Sequence, residues 1–350
     1  MNWNKVIIDE EELRAYQADE SDDSLESRVA ALIDQQRATW PQLTEGYEAF
    51  RRIDTKRVRV QESEVVVQHN PRRIRSTAAQ VDKNSINARS CFLCPDNLPP
   101  EEKGIAYRDD LVITCNPFPI LDQHLSIIHR EHIPQRIQGN VELLLSLSKD
   151  LGSSYFVLYN GPECGASAPD HLHFQACSRE LLPIQENLFK DEPVLDEDCS
   201  YCDETARNTF ELFTLGGCGR SVVVFRGGNV DELALWIYRV INELAAQTNK
   251  GEPLINIICT YDPKLWTVYL FPRAKHRPRS FFEQGESRLV VSPGAIDMAG
   301  VVVVPEREHY ERIGEKEVTQ IFSEVSMNGE LVSELIDDLC ALPDAEAPEW

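Results

Sequence analysis

The residues of this chain best fitted to do chemistry are two histidines and a glutamine at alternate positions in His171-Leu172-His173-Phe174-Gln175. On an extended strand, side chains alternate between faces. His171, His173 and Gln175 therefore share one face, and Leu172 and Phe174 share the other. A neutral imidazole held in one tautomer is a nucleophile that can attack phosphorus, forming a phosphoramidate and splitting one displacement into two. A nearby backbone carbonyl can hold the far ring nitrogen and leave the other lone pair free. A glutamine two residues on can donate to phosphoryl oxygens as charge develops there. It cannot supply a proton to a leaving group, so it suits transfer to a later acceptor better than hydrolysis. The strand is expected to follow an apolar run and a small-residue loop, within FVLYNGPECGASAPDHLHFQAC at 156–177.

A metal site is the second expectation. Cys91-Phe92-Leu93-Cys94-Pro95 is a C-x-x-C knuckle whose thiolates can grip one tetrahedral zinc, and it lacks the βαβ context of a thioredoxin-like pair. Two partner sets complete it, and both stay open here: His132 with His171, or Cys199 with Cys202 in DEDCSYCDE. Two basic knots stand out in an acidic chain. One is Asn70-Pro71-Arg72-Arg73-Ile74-Arg75; the other holds Arg273, Lys275, His276, Arg277 and Arg279. Guanidinium forks match phosphate oxygens, so Arg72, Arg73, Arg75, Lys275 and Arg277 are candidates for a phosphate or sugar phosphate.

The chain has 350 residues, 42% of them hydrophobic, and a formal charge of −23. That length can bury a sizeable core in one large domain or two fused ones. The charge argues against nucleic acid or an anionic membrane as partner, without forbidding a small phosphorylated ligand at a local basic cluster. The opening MNWNKVIIDEEEL has no apolar segment after basic residues, and no apolar run reaches the ~18 residues of a membrane span. Ten scattered cysteines without an export signal read as thiols and metal ligands. The expectation is a cytoplasmic protein.

These residues need elements to position them. Residues 1–56 read as an acidic helical appendage, with Ser24 capping one helix and a second running through LTEGYEAFRRI. Residues 57–69 read as two strands around a turn. Next come strands at LVITC and LSIIH, an Asn140-led helix VELLLSLSKDLG, the strand YFVLYN and the histidine strand. The order then recurs as SVVVF, the helix NVDELALWIYRVINELA, LINIICTY and LWTVYLFPRA, which points to an internal duplication. Thr267, Val268, Tyr269 and Leu270 occupy the histidine strand's place in the second copy. LVVSPGAIDMAGVVVVP reads as a strand split by a Pro-Gly turn. The expected domains are 1–56, a catalytic half at 57–215, and a degenerate half with C-terminal helices at 216–350.

DHLHFQA, the upstream GAS and YNG elements and NPFPILDQHLSIIHREHIP together resemble the transferase branch of the histidine-triad superfamily. That branch holds galactose-1-phosphate uridylyltransferase, diadenosine tetraphosphate phosphorylase and the GDP-hexose phosphorylases. The HLHFQA string followed by LLPIQ is most similar to the GDP-hexose phosphorylases, whereas the CFLC knuckle is more like the uridylyltransferases. The likeness spans roughly residues 60–310. It implies an α+β fold of two fused histidine-triad-like halves, each with an antiparallel sheet and flanking helices. It implies His173 as the residue that becomes nucleotidylated and Gln175 as the group that steadies the intermediate. Asn160, Gly165 and Ser167 match the loop at the phosphates and ribose, and Asn116 and Phe118 the cradle of base and ribose. Cys91, Cys94, His132 and His171 match a structural zinc set. The implied reaction is phosphorolysis of a GDP-hexose to GDP and hexose 1-phosphate, with phosphate or a sugar phosphate as acceptor. The alternatives are a dinucleoside polyphosphate phosphorylase, a hexose-1-phosphate uridylyltransferase, or a nucleotide- and metal-binding protein without turnover. Related two-half enzymes leave room for a homodimer.

Overall fold

The computed structural model describes residues 1–179, 182–188, 210–248, 251–262 and 264–341. The strands are β1 Asp54–Val60, β2 Ser63–His69, β3 Gly104–Tyr107, β4 Leu111–Cys115, β5 Leu125–His129, β6 Tyr155–Asn160, β7 His173–Ser178, β8 Glu211–Thr214, β9 Val223–Gly227, β10 Ile255–Asp262, β11 Leu265–Pro272 and β12 Val301–Val304. The longer helices are α1 Leu25–Thr39, α2 Pro41–Phe50, α3 Val141–Asp150, α4 Val230–Thr248, α5 Glu315–Val325 and α6 Gly329–Ala341.

Nine strands form one antiparallel sheet in the order β3-β4-β5-β7-β6-β10-β11-β9-β8. β6 and β10 pair at its centre, and the order is mirrored on either side of them. β5-β7-β6 answers β9-β11-β10, and each half spends one helix, α3 or α4, between its corresponding strands. The repeated order read in the sequence thus becomes one continuous α+β sheet. A second sheet, β1-β2-β12, joins the 57–69 hairpin to a strand more than 230 residues later, with β12 running parallel to β2. The stretch expected to be one split strand is a strand only at Val301–Val304, because Ala295–Met298 closes into a helical turn.

Period-2 alternation sorts the large sheet's side chains. Leu172, Phe174, Val157, Ile257 and Val268 point to one face, under α1 to α4. Leu158, Cys177, Ile258, Tyr269 and Phe271 point to the other, where the small sheet and α5 cover the second half. Phe174 is fully buried, so its truncation to alanine would cost about 3–5 kcal/mol. The N-terminal segment contributes Leu13, Val29, Leu32, Leu43 and Tyr47 to the helical-face core. Ser24 caps α1 as expected, its side chain accepting from the Ser27 amide. Asn140 sits at the N-cap of α3, but its amide instead donates to the carbonyls of Arg136 and Gln138. No helix among the described residues is long and apolar enough to cross a membrane.

Candidate active site

On the outer sheet face of the first half, between the side covered by Trp3, Val6 and the 91–94 knuckle and the side covered by the small sheet, a cleft of about 620 Å³ opens. His173 and Gln175 lie on that face of β7, beside Ser126 and Ile128 of β5. The strand begins at His173. His171 lies just before it, in a turn whose amide donates to the Ala168 carbonyl, so the two imidazoles serve different neighbourhoods.

His173 is held at three points. Its backbone N–H donates to Gln135 Oε1 at 2.8 Å, and Gln135 Nε2 donates to the carbonyls of His173 and Asn160. Its Nδ1 lies 2.8 Å from the His171 carbonyl. A carbonyl only accepts, so Nδ1 carries the proton and Nε2 the lone pair. Burial pushes the imidazole's pKa down, keeping it neutral near pH 7.

Gln175 is oriented by a residue the sequence reading missed. Its Oε1 lies 2.8 Å from His124 Nε2, while His124 Nδ1 accepts from the Ile120 amide. The backbone donor fixes the tautomer, so Nε2–H donates to Gln175. The carboxamide oxygen is thereby committed, and its NH₂ is the group left for the cleft. His124 is fully buried and its pKa is pushed down to about 3, chiefly by desolvation and then by the Arg73 charge. Only the spacing of His124 one strand away from Gln175 could have signalled it, and that needs the β5–β7 register.

Five arginines line the cleft (Arg72, Arg73, Arg75, Arg89 and Arg277) against two carboxylates, Glu102 and Asp297. A chain of net charge −23 thus keeps one locally basic pocket. Arg73 donates to the Phe118 carbonyl, and burial lowers its pKa to about 10, which leaves it charged. Arg277 donates to Ser292 and to the carbonyls of Thr77 and Ala79, bracing the segment that follows Arg75.

Asn116, Phe118, Asn160, Gly165 and Ser167 also line the cleft. Asn116 Oδ1 accepts from the Phe118 amide and shapes the Asn-Pro-Phe-Pro turn. Asn160 is mainly a brace: its Oδ1 accepts from Asn256 and from the Ala295 amide. Gly165 has φ +105°, and a Cβ there would meet Gly294 Cα at 2.8 Å, so the loop needs glycine. Lys275 is the exception among the predicted residues. It lies outside the cleft and pairs with Glu324 at 3.6 Å, because β11 ends at Pro272 and the chain turns toward α5.

Beside this cleft, Cys91, Cys94, His132 and His171 bring their ligand atoms within 4.8 Å of one another. Cys91 Sγ to His171 Nδ1 and Cys94 Sγ to His132 Nδ1 are both 3.3 Å, and Cys94 Sγ to His171 Nδ1 is 3.7 Å. Bond lengths of about 2.0–2.3 Å around a tetrahedral zinc give edges near these values. His171 Nε2 donates to the His129 carbonyl at 2.7 Å, which turns the Nδ1 lone pair toward the thiols. The donor set suits a closed metal site. Cys199 and Cys202 of the alternative four-thiolate set lie outside the described residues.

In the second half the strand that matches β7 is β11. Tyr269 takes the register position opposite Ile258 that Gln175 takes opposite Leu158, and it is buried against the small sheet with Phe271.

Residues 32–178 match a family model described as "Domain of unknown function (DUF4922)", and residues 207–345 match one described as "GDPGP1-like, C-terminal domain". None of the curated proteins matches the chain. Among solved structures, yeast Ap4A phosphorylase in complex with Ap4A is 17% identical at a TM-score of 0.55, covering 82% of this chain and 96% of that one. The same yeast enzyme with AMP gives 16% identity and a TM-score of 0.54, over 84% and 96%. An ADP-glucose phosphorylase from Arabidopsis thaliana aligns more loosely, with 15% identity and a TM-score of 0.32 over 79% and 100%. The chain thus shares the fold of yeast Ap4A phosphorylase over most of both chains, and its C-terminal part matches the GDPGP1-like family model.

Proposed function

We propose that this protein is a nucleotidyltransferase working through a nucleotidyl-histidine, and that its reaction is phosphorolysis of a GDP-hexose. The observation that carries the reading is a fixed tautomer beside a fixed amide: His173 with its lone pair on Nε2, and Gln175 with its NH₂ turned to the cleft. In the first displacement, His173 Nε2 forms a bond to the α-phosphorus and the bond to the sugar-phosphate oxygen breaks, releasing hexose 1-phosphate. The His171 carbonyl stabilises the positive charge that the imidazole gains. Gln175 donates to the phosphoryl oxygens, and Arg72, Arg73 and Arg75 offset the remaining charge. In the second displacement, an oxygen of inorganic phosphate attacks the same phosphorus, giving GDP and free imidazole. Asn116 and Phe118 shape the ribose end, and Gly165 and Ser167 the phosphate end. Zinc held by Cys91, Cys94, His132 and His171 would act structurally, tying the knuckle to the start of β7.

The protein incubated with radiolabelled GDP-hexose is expected to acquire acid-labile, base-stable label, and His173→Ala to acquire none. Label that survives His173→Ala would remove His173 from its role. A dinucleoside polyphosphate phosphorylase is the second reading, favoured by the fold shared with yeast Ap4A phosphorylase. A panel of GDP-, ADP- and UDP-sugars and dinucleoside polyphosphates, each with phosphate, separates the two by product.

A further inference from the structure

The cleft has an end away from His173 that the transfer chemistry does not use. In register across β7, β5 and β4, Gln175 pairs with Ser126 and Ser126 with Thr114. At about 4.8 Å between strands, Thr114 stands about 10 Å from Gln175, a separation comparable to the length of a nucleoside monophosphate. At that end lies Glu102, a cleft-lining carboxylate only 7% exposed. The Thr114 hydroxyl and the buried Cys115 thiol lie near it, and among the described residues no arginine or lysine forms a salt bridge with it.

An ionised carboxylate so placed is costly unless a ligand brings donors. The backbone is nevertheless built to hold it there. The fully buried Gln36 of α1 donates to the Glu101 carbonyl and accepts from the Lys103 amide, clamping the residues on both sides of Glu102. The cleft lining also includes the apolar Leu93, Leu98 and Ile128, and Phe92, which is 45% exposed with the Arg89 guanidinium 5.1 Å from its ring centroid.

We infer that Glu102 is the residue that selects the guanine base of the GDP-hexose. The inference rests on the nucleotidyl-transfer reading of the cleft and names the group that sets its base specificity. Guanine presents two parallel donors, N1–H and the N2 amino group, to a carboxylate's two oxygens. Adenine places an N1 lone pair beside its single amino donor, and uracil flanks its single N–H with two carbonyls. Both would set like partial charge against the carboxylate. Stacking on Phe92 suits any purine; the two-donor edge selects one.

The test is equilibrium binding of GDP and IDP to the full chain, since inosine lacks only the N2 amino group. The wild-type protein is expected to bind GDP at least about tenfold more tightly than IDP, as for a lost hydrogen bond to a charged group. Glu102→Gln should bind the two within about threefold of each other. A wild-type ratio near one overturns the inference without any variant. So does a Glu102→Gln protein that melts like the wild type and keeps the wild-type ratio. In both cases an adduct formed from GDP-hexose leaves the transfer reading standing. An adduct formed from an ADP- or UDP-sugar but not from GDP-hexose overturns the guanine assignment alone. No adduct from any nucleotide sugar overturns both.

Discussion

Replacing His124 with phenylalanine would remove the donor that holds the Gln175 carbonyl, and the carboxamide could then turn its oxygen toward the phosphate. A misplaced oxygen repels developing negative charge where the NH₂ would have stabilised it. His124→Phe is therefore expected to lower kcat by about tenfold to a hundredfold, the scale of losing one charge-stabilising donor, with KM nearly unchanged. Steady-state kinetics beside a melting curve distinguishes this from general destabilisation. An equal rise in KM would mean that His124 shapes the binding site instead.

At the scale of elements, the knuckle at 91–94, the turn holding His132 and the turn before β7 meet in one ligand cluster. These segments have little other regular structure, so a metal there would fix the origin of β7 and with it the carbonyl that orients His173. About one zinc per chain is the expected content by atomic absorption. Cys91→Ser should lose most of it, lower the melting temperature by several degrees and slow adduct formation. Full metal content in Cys91→Ser would remove the knuckle from the metal site, whereas full content in His132→Ala would point to Cys199 and Cys202 as the partners of the knuckle. Gln135 extends the same logic, as one buried side chain joins the ends of β6 and β7 by three hydrogen bonds.

For the whole molecule, the buried titratable groups pull stability in opposite directions with pH. His124 and His276 are both held down to about 3, mainly by desolvation. Between about 6.5 and 3 the unfolded chain therefore binds more protons at these sites, and stability falls with falling pH by up to about 1.4 kcal/mol per unit for each. Asp297 and Glu102 have the reverse sign. Burial raises them to about 6 and about 7, so the folded chain holds the extra protons and stability rises as pH falls through each group's window. Asp297→Asn removes one opposing contribution. The loss of stability between pH 6 and pH 4 should be steeper in the variant than in the wild type, as read by urea unfolding at several pH values. An unchanged slope would show that Asp297 does not titrate as its burial implies.

Local pattern carried much of this. Ser24 ahead of LESRVAAL, the alternation in HLHFQ and the C-x-x-C spacing are short-range signals, because capping, strand facing and chelation act over a few residues. The repeated strand-helix-strand-strand order was equally legible, since each copy writes its own periodicity. Partnerships between distant segments were not. Which of two ligand sets would complete the knuckle, whether Lys275 would reach the cleft, and that VVVV would extend the 57–69 hairpin all depend on where long connections bring the chain back. Nothing in the sequence marked His124, Gln135 or Glu102, whose roles arise from register across β3, β4, β5 and β7 and from burial. By itself the sequence singled out His173 as a candidate nucleophile and Gln175 beside it, through residue type and a two-residue spacing. Only the tertiary structure decided how they are held. The carbonyl that sets the His173 tautomer is two residues away, but the groups that orient Gln175 and clamp the His173 backbone lie 51 and 38 residues off, where long connections return the chain.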